Sequence, residues 1–165
     1  MGEVKASIYI EAPVEEVFAF VADYRNTTRY LFGFTRFEPV NSIKYGLGAK
    51  VLAAGTFHGV PVYTHLEIVE FVPNRKIVSR SSPSVLGTPA WLFEPRSGGT
   101  VVTFASDFRL PFPVVGRLLG GLVLDAEVTN HVRESLRKLK GLIESQRAAK
   151  SKGTEGKLSP QAPDA

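Results

Sequence analysis

Residues 3–11 alternate: Val4, Ala6, Ile8 and Ile10 face one way and Lys5, Ser7 and Tyr9 the other, as in a half-buried strand. Pro13 then stands where a helix starts without wasting an N–H. Glu15 and Glu16 occupy its favourable first turn, and Val14, Val17, Phe18 and Val21 give it one apolar face. The spacing predicts a second short helix over 26–32 with Asn26 as its cap. From Thr35 to Leu110 strands and turns take over. His58-Gly59 reads as a two-residue hairpin loop between 49–57 and 60–71. Pairing Phe57 with Val60 puts Val51, Ala53, Gly55 and Phe57 on one face with Val62, Thr64, Leu66 and Ile68. The other face carries Leu52, Ala54 and Thr56 with Tyr63, His65 and Glu67. Pro73-Asn74 turns the chain into 76–82, and Gly98-Gly99 joins 90–94 to 100–110, where Trp91, Phe93, Val102, Phe104, Ser106 and Phe108 share a face. Short turns throughout make the sheet antiparallel.

Residues 113–147 read as one long helix opened by Pro113. Val115, Leu122, Leu136 and Ile143 recur every seven residues, with Leu118, Val132 and Leu139 in companion positions. Such a seam usually zips a coiled coil; with only one long helix in the chain, its partner is the sheet. Asp125 and Thr129 break the seam, and a core-facing helix carries a carboxylate only where it meets water, a partner or a ligand. Gly120 and Gly121, just before, each weaken the helix by ~1 kcal/mol relative to Ala. Residues 148–165 hold Lys, Gly, Ser and Pro with one large aliphatic residue, the composition of a disordered tail. The expected organisation is a domain over 1–147 and a tail over 148–165.

Composition removes several classes of chemistry. The 165 residues contain no cysteine, so disulfides, thiolate metal sites and Cys nucleophiles are absent. His58, His65 and His131 lack metal-ligand spacing, and no metal or cofactor is expected. A net charge of +4, spread along the chain, offers no basic stripe for nucleic acid. The opening MGEVKASIYIEAP has no apolar signal core, and the longest apolar stretch, Val114–Leu124, falls short of the ~20 residues that span a bilayer. A soluble, cytoplasmic protein is the expectation.

The order of elements is one strand, two short helices, six strands and one long helix, which predicts a curved sheet gripping the helix with a cavity between them. Five motifs carry a family resemblance: IEAPVEEVFAFVADYRNTTRY at the opening strand and helix, YGLGAKV entering the third strand, LEIVEFVPNRKIV, FEPRSGGTVVTF and RESLRKLKGLIE. Together they resemble the START-like (SRPBCC) superfamily, specifically its bacterial polyketide cyclase/dehydrase and lipid-transport group, over roughly residues 3–145. The tryptophan often found after the second helix is Tyr30 here, a change that bears on the pocket entrance. The chaperone-activator branch is not favoured; the ubiquinone-binding branch stays open.

The resemblance implies an α+β helix-grip fold, a curved seven-stranded antiparallel sheet wrapped around the C-terminal helix, and a small hydrophobic ligand between them. The residues allow it. Ala53, Gly55, Thr64, Ser79 and Ser106 are small residues on inward faces. Phe18, Leu31, Trp91, Phe93, Phe104, Leu119 and Leu122 are the expected apolar walls, and simple core packing is the competing reading of each position. A cyclase or dehydratase needs in addition a positioned acid or base. Asp125 is the candidate, with Thr129 and Asn130 as hydrogen-bonding neighbours. Asp107, Arg109, Tyr63 and His65 alternate onto the outer face, and His131 reads as surface. Leu31, Phe32 and Phe34, with Leu118 and Leu119, are expected to form an apolar rim beside the proline-bounded segment Leu110–Val115, allowing at most brief membrane contact. Three functions follow: a carrier or sensor of a lipid, quinone or polyketide-like ring; a polyketide cyclase, aromatase or dehydratase in the same cavity; or an interaction module with a vestigial one.

Overall fold

The computed structural model describes residues 2–82, 86–109 and 121–155. Strand β1 (Gly2–Ile10) leads into α1 (Val14–Ala22) and α2 (Tyr24–Tyr30). Next come β2 (Phe34–Pro39), β3 (Lys50–Phe57), β4 (Val60–Val72), β5 (Lys76–Ser82), β6 (Leu86–Gly87), β7 (Ala90–Arg96) and β8 (Gly99–Arg109), then the long helix α3 (Gly121–Glu155). All the strands pair antiparallel in one sheet whose path runs β1-β8-β6-β5-β4-β3-β2, with β7 also bridging β5 and β8. Seven strands carry the sheet and β6 adds a two-residue bridge between β5 and β8. This is the helix-grip architecture expected from the order of elements.

Turn chemistry sets the registers. His58 (φ 49°) and Gly59 (φ 76°) both adopt left-handed conformations, the two-residue turn whose twist matches its flanking strands. Phe57 therefore faces Val60, and Ala53 faces Thr64, the pairing expected from the alternation. Ser97 (φ 50°) and Gly98 (φ 80°) repeat the device one residue before the expected Gly98-Gly99 turn, because Arg96 pairs with Gly99 and makes Gly99 the first residue of β8. Register shifts between Phe34 and Arg36 and between Ile68 and Glu70 mark bulges, which bend the strands.

Two helix boundaries differ from expectation. The cap of α2 is Asp23, whose Oδ1 accepts the Arg25 N–H at 3.0 Å. Asn26 lies inside the helix and donates through Nδ2 to the Phe20 carbonyl. Helix α3 continues to Glu155, so residues 148–155, assigned above to a tail, are helical, and Thr154 donates back to the Lys150 carbonyl. Gln146, Ala148, Ala149 and Lys150 are good helix formers, and this propensity carries the helix past its last buried residue, Ile143. The expected helix start at Pro113 and residues 156–165 lie outside the described residues. No helix among the described residues is long and apolar enough to cross a membrane.

The main core gathers where α1 and the middle of α3 meet the β1–β8–β7 side of the sheet. Ile10, Val17, Val102, Leu136 and Leu139 are fully covered, with Phe18, Phe93 and Ile143 beside them. The Phe18 ring meets Phe71 and Phe93 edge-on at 5.2 and 5.1 Å, the favoured arrangement for aromatic pairs. Thr100 is buried in this end and donates to the Ala12 carbonyl at 2.8 Å.

Candidate functional site

Beside that core the layers part. A cavity of about 260 Å³, partly open to solvent, lies between the concave face of the sheet, the α2–β2 connection and the first described turns of α3. Its sheet wall includes Val51, Val62, Thr64, Leu66, Ile77, Ser79, Trp91, Phe104 and Ser106. Alternation puts these side chains on one face, and their small members leave the volume unfilled. Tyr30 closes the wall from α2, edge-on to Trp91 at 6.0 Å, while Trp91 meets Phe104 at 4.9 Å. Tyr30 is buried, and that burial pushes its phenol well above the usual range even though it hydrogen-bonds with Thr27, so it stays neutral. In this protein the residue in the tryptophan's place belongs to the inner wall.

Most of the wall's hydroxyls are already engaged. Ser81 donates to the Gly87 carbonyl at 2.9 Å, Ser106 to the Asp107 carbonyl at 2.6 Å and Thr64 to the His65 carbonyl at 3.4 Å. Ser135, on α3, donates to the His131 carbonyl and accepts the Phe32 N–H, both at 2.8 Å. Spent hydroxyls add little polarity, so the space is effectively apolar.

The Ser135–Phe32 bond also ties the α2–β2 connection to α3 and sets the mouth of the cavity. Phe32 lies against the His131 ring at 4.5 Å, and Phe57, from the β3–β4 hairpin, meets the same ring edge-on at 5.0 Å. His58 stacks beyond it at 6.3 Å and points Nε2 at Glu127 Oε2, 3.4 Å away. Burial of the His131 ring pushes its pKa below the usual histidine value; Glu127 opposes this shift and His58 adds to it. Close by, Gly55 has no room for a side chain, because a Cβ there would strike the Gly33 carbonyl. The space that a small residue at 55 was expected to leave for a ligand is occupied by the turn that carries Phe32.

Of the expected site residues, Leu31, Thr64, Ser79, Trp91, Phe104 and Ser106 line the cavity. Phe18 and Phe93 are packed in the core instead, and Ala53, fully buried on β3, is not part of the wall. Leu119 lies outside the described residues, as do the side chain of Leu122 and the 110–120 half of the expected rim. The other half is in place: Leu31, Phe32 and Phe34 border the cavity, and Phe32 is 40% exposed.

Asp125, Thr129 and Asn130 do not reach the cavity wall. Asp125 sits eighteen residues, five full turns, before Ile143 and so projects the same way, towards β1. Its Oδ1 lies 2.6 Å from where a Cβ on Gly2 would be, beside a point that the Phe108 ring also crowds. Thr129 does bond to Asp125, but its hydroxyl donates to the backbone carbonyl (2.7 Å) and not to the carboxylate. Asn130 is exposed.

The cavity faces the neighbouring strip of α3: Val128, His131, Val132 and Ser135. His131 was expected at the surface, and the signal for it is the i, i+3, i+4, i+7 spacing of one helical face. A polar His and Ser in two of the four positions hide that face from a reading by hydrophobicity. Asp107 was placed on the outer face. It is among the residues lining the cavity, and its carboxylate accepts the N–H of exposed Thr88 at 2.7 Å. Tyr63 and His65 are exposed on the outer face as expected.

Comparison with known proteins agrees with this architecture. A family model described as polyketide cyclase / dehydrase and lipid transport matches residues 1–144. No curated protein matches the chain. Among solved structures, protein TTHA0849 of Thermus thermophilus is 24% identical with a TM-score of 0.75, the match covering 87% of this chain and 98% of that one. A START superfamily protein of Mycobacterium smegmatis shares the fold at 10% identity, with a TM-score of 0.74 over 88% of this chain and 99% of the other. The di-domain ARO/CYC protein BexL of the BE-7585A biosynthetic pathway is 25% identical with a TM-score of 0.64, over 87% of this chain and 47% of BexL. With residues 1–144 matched, nearly the whole helix-grip domain, the chain belongs to the polyketide cyclase / dehydrase and lipid transport family.

Proposed function

We propose that this protein is a carrier or sensor that holds a small hydrophobic molecule, of lipid, quinone or polyketide-ring type, in the cavity between sheet and C-terminal helix, and that it works in the cytoplasm. The observation that carries this reading is the cavity itself: about 260 Å³, walled by Trp91, Phe104, Leu31 and aliphatic strand residues, with hydroxyls mostly spent on the backbone. An apolar space of ~150 Å³ is enough for benzene, so a compact ring system or a short acyl chain fits. Leu31, Phe32 and Phe34 at the mouth suit a ligand taken from an apolar surface through transient contact, without anchoring.

Cyclase activity is the second reading. It is favoured by the 25% identity to the ARO/CYC protein BexL and by the presence of His131 in the wall. It is weakened by Asp125, the acid/base candidate, which projects towards β1 and leaves, among the described residues, no carboxylate hydrogen-bonded to His131 in the cavity.

The test is a fluorescence titration with N-phenyl-1-naphthylamine, with native mass spectrometry of the purified protein to detect a retained molecule. Saturable binding is expected, and Ser79→Phe, which fills the cavity from β5, should weaken it at least tenfold while the protein still melts cooperatively. Absence of saturable binding to the wild type refutes the carrier reading.

A further inference from the structure

We propose that His131 is the hydrogen-bonding anchor of the cavity, and that its ligands are compact hydrophobic molecules carrying a carbonyl or hydroxyl oxygen. This rests on the carrier reading above and narrows its ligand class.

Most of the other polar groups at the cavity are already engaged. Ser81, Ser106, Ser135 and Thr64 hydrogen-bond to backbone carbonyls. Tyr30 is paired with Thr27, and Asp107 takes the Thr88 N–H. His58 is directed at Glu127. For His131, by contrast, only the backbone carbonyl is engaged; neither ring nitrogen has a hydrogen-bond partner among the described residues. No buried side-chain nitrogen or oxygen in the described structure lacks a partner, so those two nitrogens stay accessible and are not sealed into the core.

The ring is also held in place. Phe32 covers it at 4.5 Å with planes 35° apart, Phe57 abuts it at 5.0 Å and 72°, and His58 stacks at 6.3 Å and 25°. Three separate elements, the α2–β2 connection, the β3–β4 hairpin and α3, thus position one imidazole at the wall of an apolar space. Pre-organisation of this kind lowers the cost of ordering a partner. Partial burial favours the neutral ring. A neutral imidazole has one donor and one acceptor nitrogen, so it can donate to a carbonyl or exchange either bond with a hydroxyl. In a low-dielectric setting a single well-placed polar group discriminates strongly, because an apolar analogue leaves it unpaired.

Four other polar side chains not yet accounted for reach the wall, among them the short hydroxyls of Thr56 on β3 and Ser79 on β5. Lys44 is exposed on the loop between β2 and β3, and Tyr24 opens α2. None of the four has an aromatic clamp like that of His131, and Tyr24 serves as the comparison in the test.

Affinities of 2-naphthol and 2-methylnaphthalene, near-isosteres differing in one hydroxyl, are measured by calorimetry or fluorescence for the wild type, His131→Phe, His131→Gln and Tyr24→Phe. Relative to the wild type, the naphthol-to-methylnaphthalene affinity ratio should fall about tenfold in His131→Phe, the worth of one net hydrogen bond. His131→Gln, which keeps a donor and an acceptor, should recover most of the ratio, and Tyr24→Phe should leave it unchanged. An unchanged ratio in a cooperatively melting His131→Phe overturns the assignment, as does a loss of selectivity in Tyr24→Phe. If neither probe binds the wild type, the carrier reading itself falls and the anchor with it.

Discussion

The two ends of the grip are built from the same sheet and the same helix, yet one is sealed and the other is hollow. At the sealed end Ile10, Val17, Phe18, Phe93, Val102, Leu136, Leu139 and Ile143 interdigitate, large side chain against large. At the hollow end the sheet presents Thr64, Ser79, Ser81 and Ser106, and α3 presents Val128, His131 and Ser135. Helix α1 covers the first end. The second is reached by the last residues of α1, by α2, by the α2–β2 connection and by the hairpin tip. The difference teaches that a cavity here is made by substituting short hydroxyl side chains for long apolar ones while satisfying most of the hydroxyls locally, so the fold keeps its layer spacing and loses only the filling.

The largest expected effect separates the ends by stability. Leu139 is fully buried at the sealed end, and Leu139→Ala should cost about 3 kcal/mol in unfolding free energy, the sum of lost transfer energy and a new void. Leu31→Ala, at a wall that already borders empty space, should cost only about 1 kcal/mol. Urea denaturation of both variants decides. Equal losses would mean that the cavity wall is packed as tightly as the core, and the comparison would fail.

An intermediate effect concerns pH. Burial lowers the folded-state pKa of His131, with His58 adding to the shift and Glu127 opposing it. The unfolded chain therefore takes up a proton first as pH falls below about 6.5. Stability from this residue is complete above that value and is lost as pH drops towards the folded pKa. The melting temperature of the wild type should decline between pH 7 and pH 5, and His131→Phe should flatten part of that decline. A variant that declines as steeply as the wild type would place His131 in a fully solvated setting and remove it from the hollow end.

Much of this was legible in the chain. Strand registers followed from alternation plus two left-handed turn pairs, because side-chain period and turn geometry leave little freedom. Alternation puts Phe93 and Trp91 on one face, but it carries no information on the gap above that face. That gap depends on where α1 crosses the sheet, so Phe18 and Phe93 were assigned to a wall they do not form. The helix misled for a different reason. A strict seven-residue repeat falls about 20° behind a straight α-helix at each step, so two repeats before Ile143 the seam position, Thr129, has rotated by about 40° off the packing face. Asp125 lies on the same side as Ile143, and that side looks at β1. The cavity looks at the strip next to it, where the apolar pattern is diluted by His131 and Ser135. The residues that make a binding wall useful are the ones that make it hard to see by hydrophobicity.

The smallest effect tests whether the sealed end is also fastened from outside. Glu144 Oε1 accepts the Glu11 N–H at 2.9 Å and the Lys140 ammonium at 2.6 Å. Lys140 also donates to the Tyr9 carbonyl, and Arg147 donates to that of Glu11. These bonds latch α3 to the end of β1. At the hollow end the same helix is held through the aromatic and hydroxyl contacts of Phe32. Partial burial works against the Glu144 charge, but the Glu11 N–H and Lys140 outweigh it and hold the carboxyl below its ordinary value of 4.5. A carboxylate lowered in this way stabilises the fold above the ordinary value and stops doing so as pH falls through the folded one. The side chain is 28% exposed, so solvent screens the pair, and Glu144→Gln should cost only about 0.5–1 kcal/mol at pH 7. The gap between variant and wild type should close as the pH is taken below 4 in a urea series, because the wild-type carboxylate is then losing its own charge. A gap that persists unchanged in acid would show that the substitution acts through packing, and that the sealed end owes its closure to its apolar core alone.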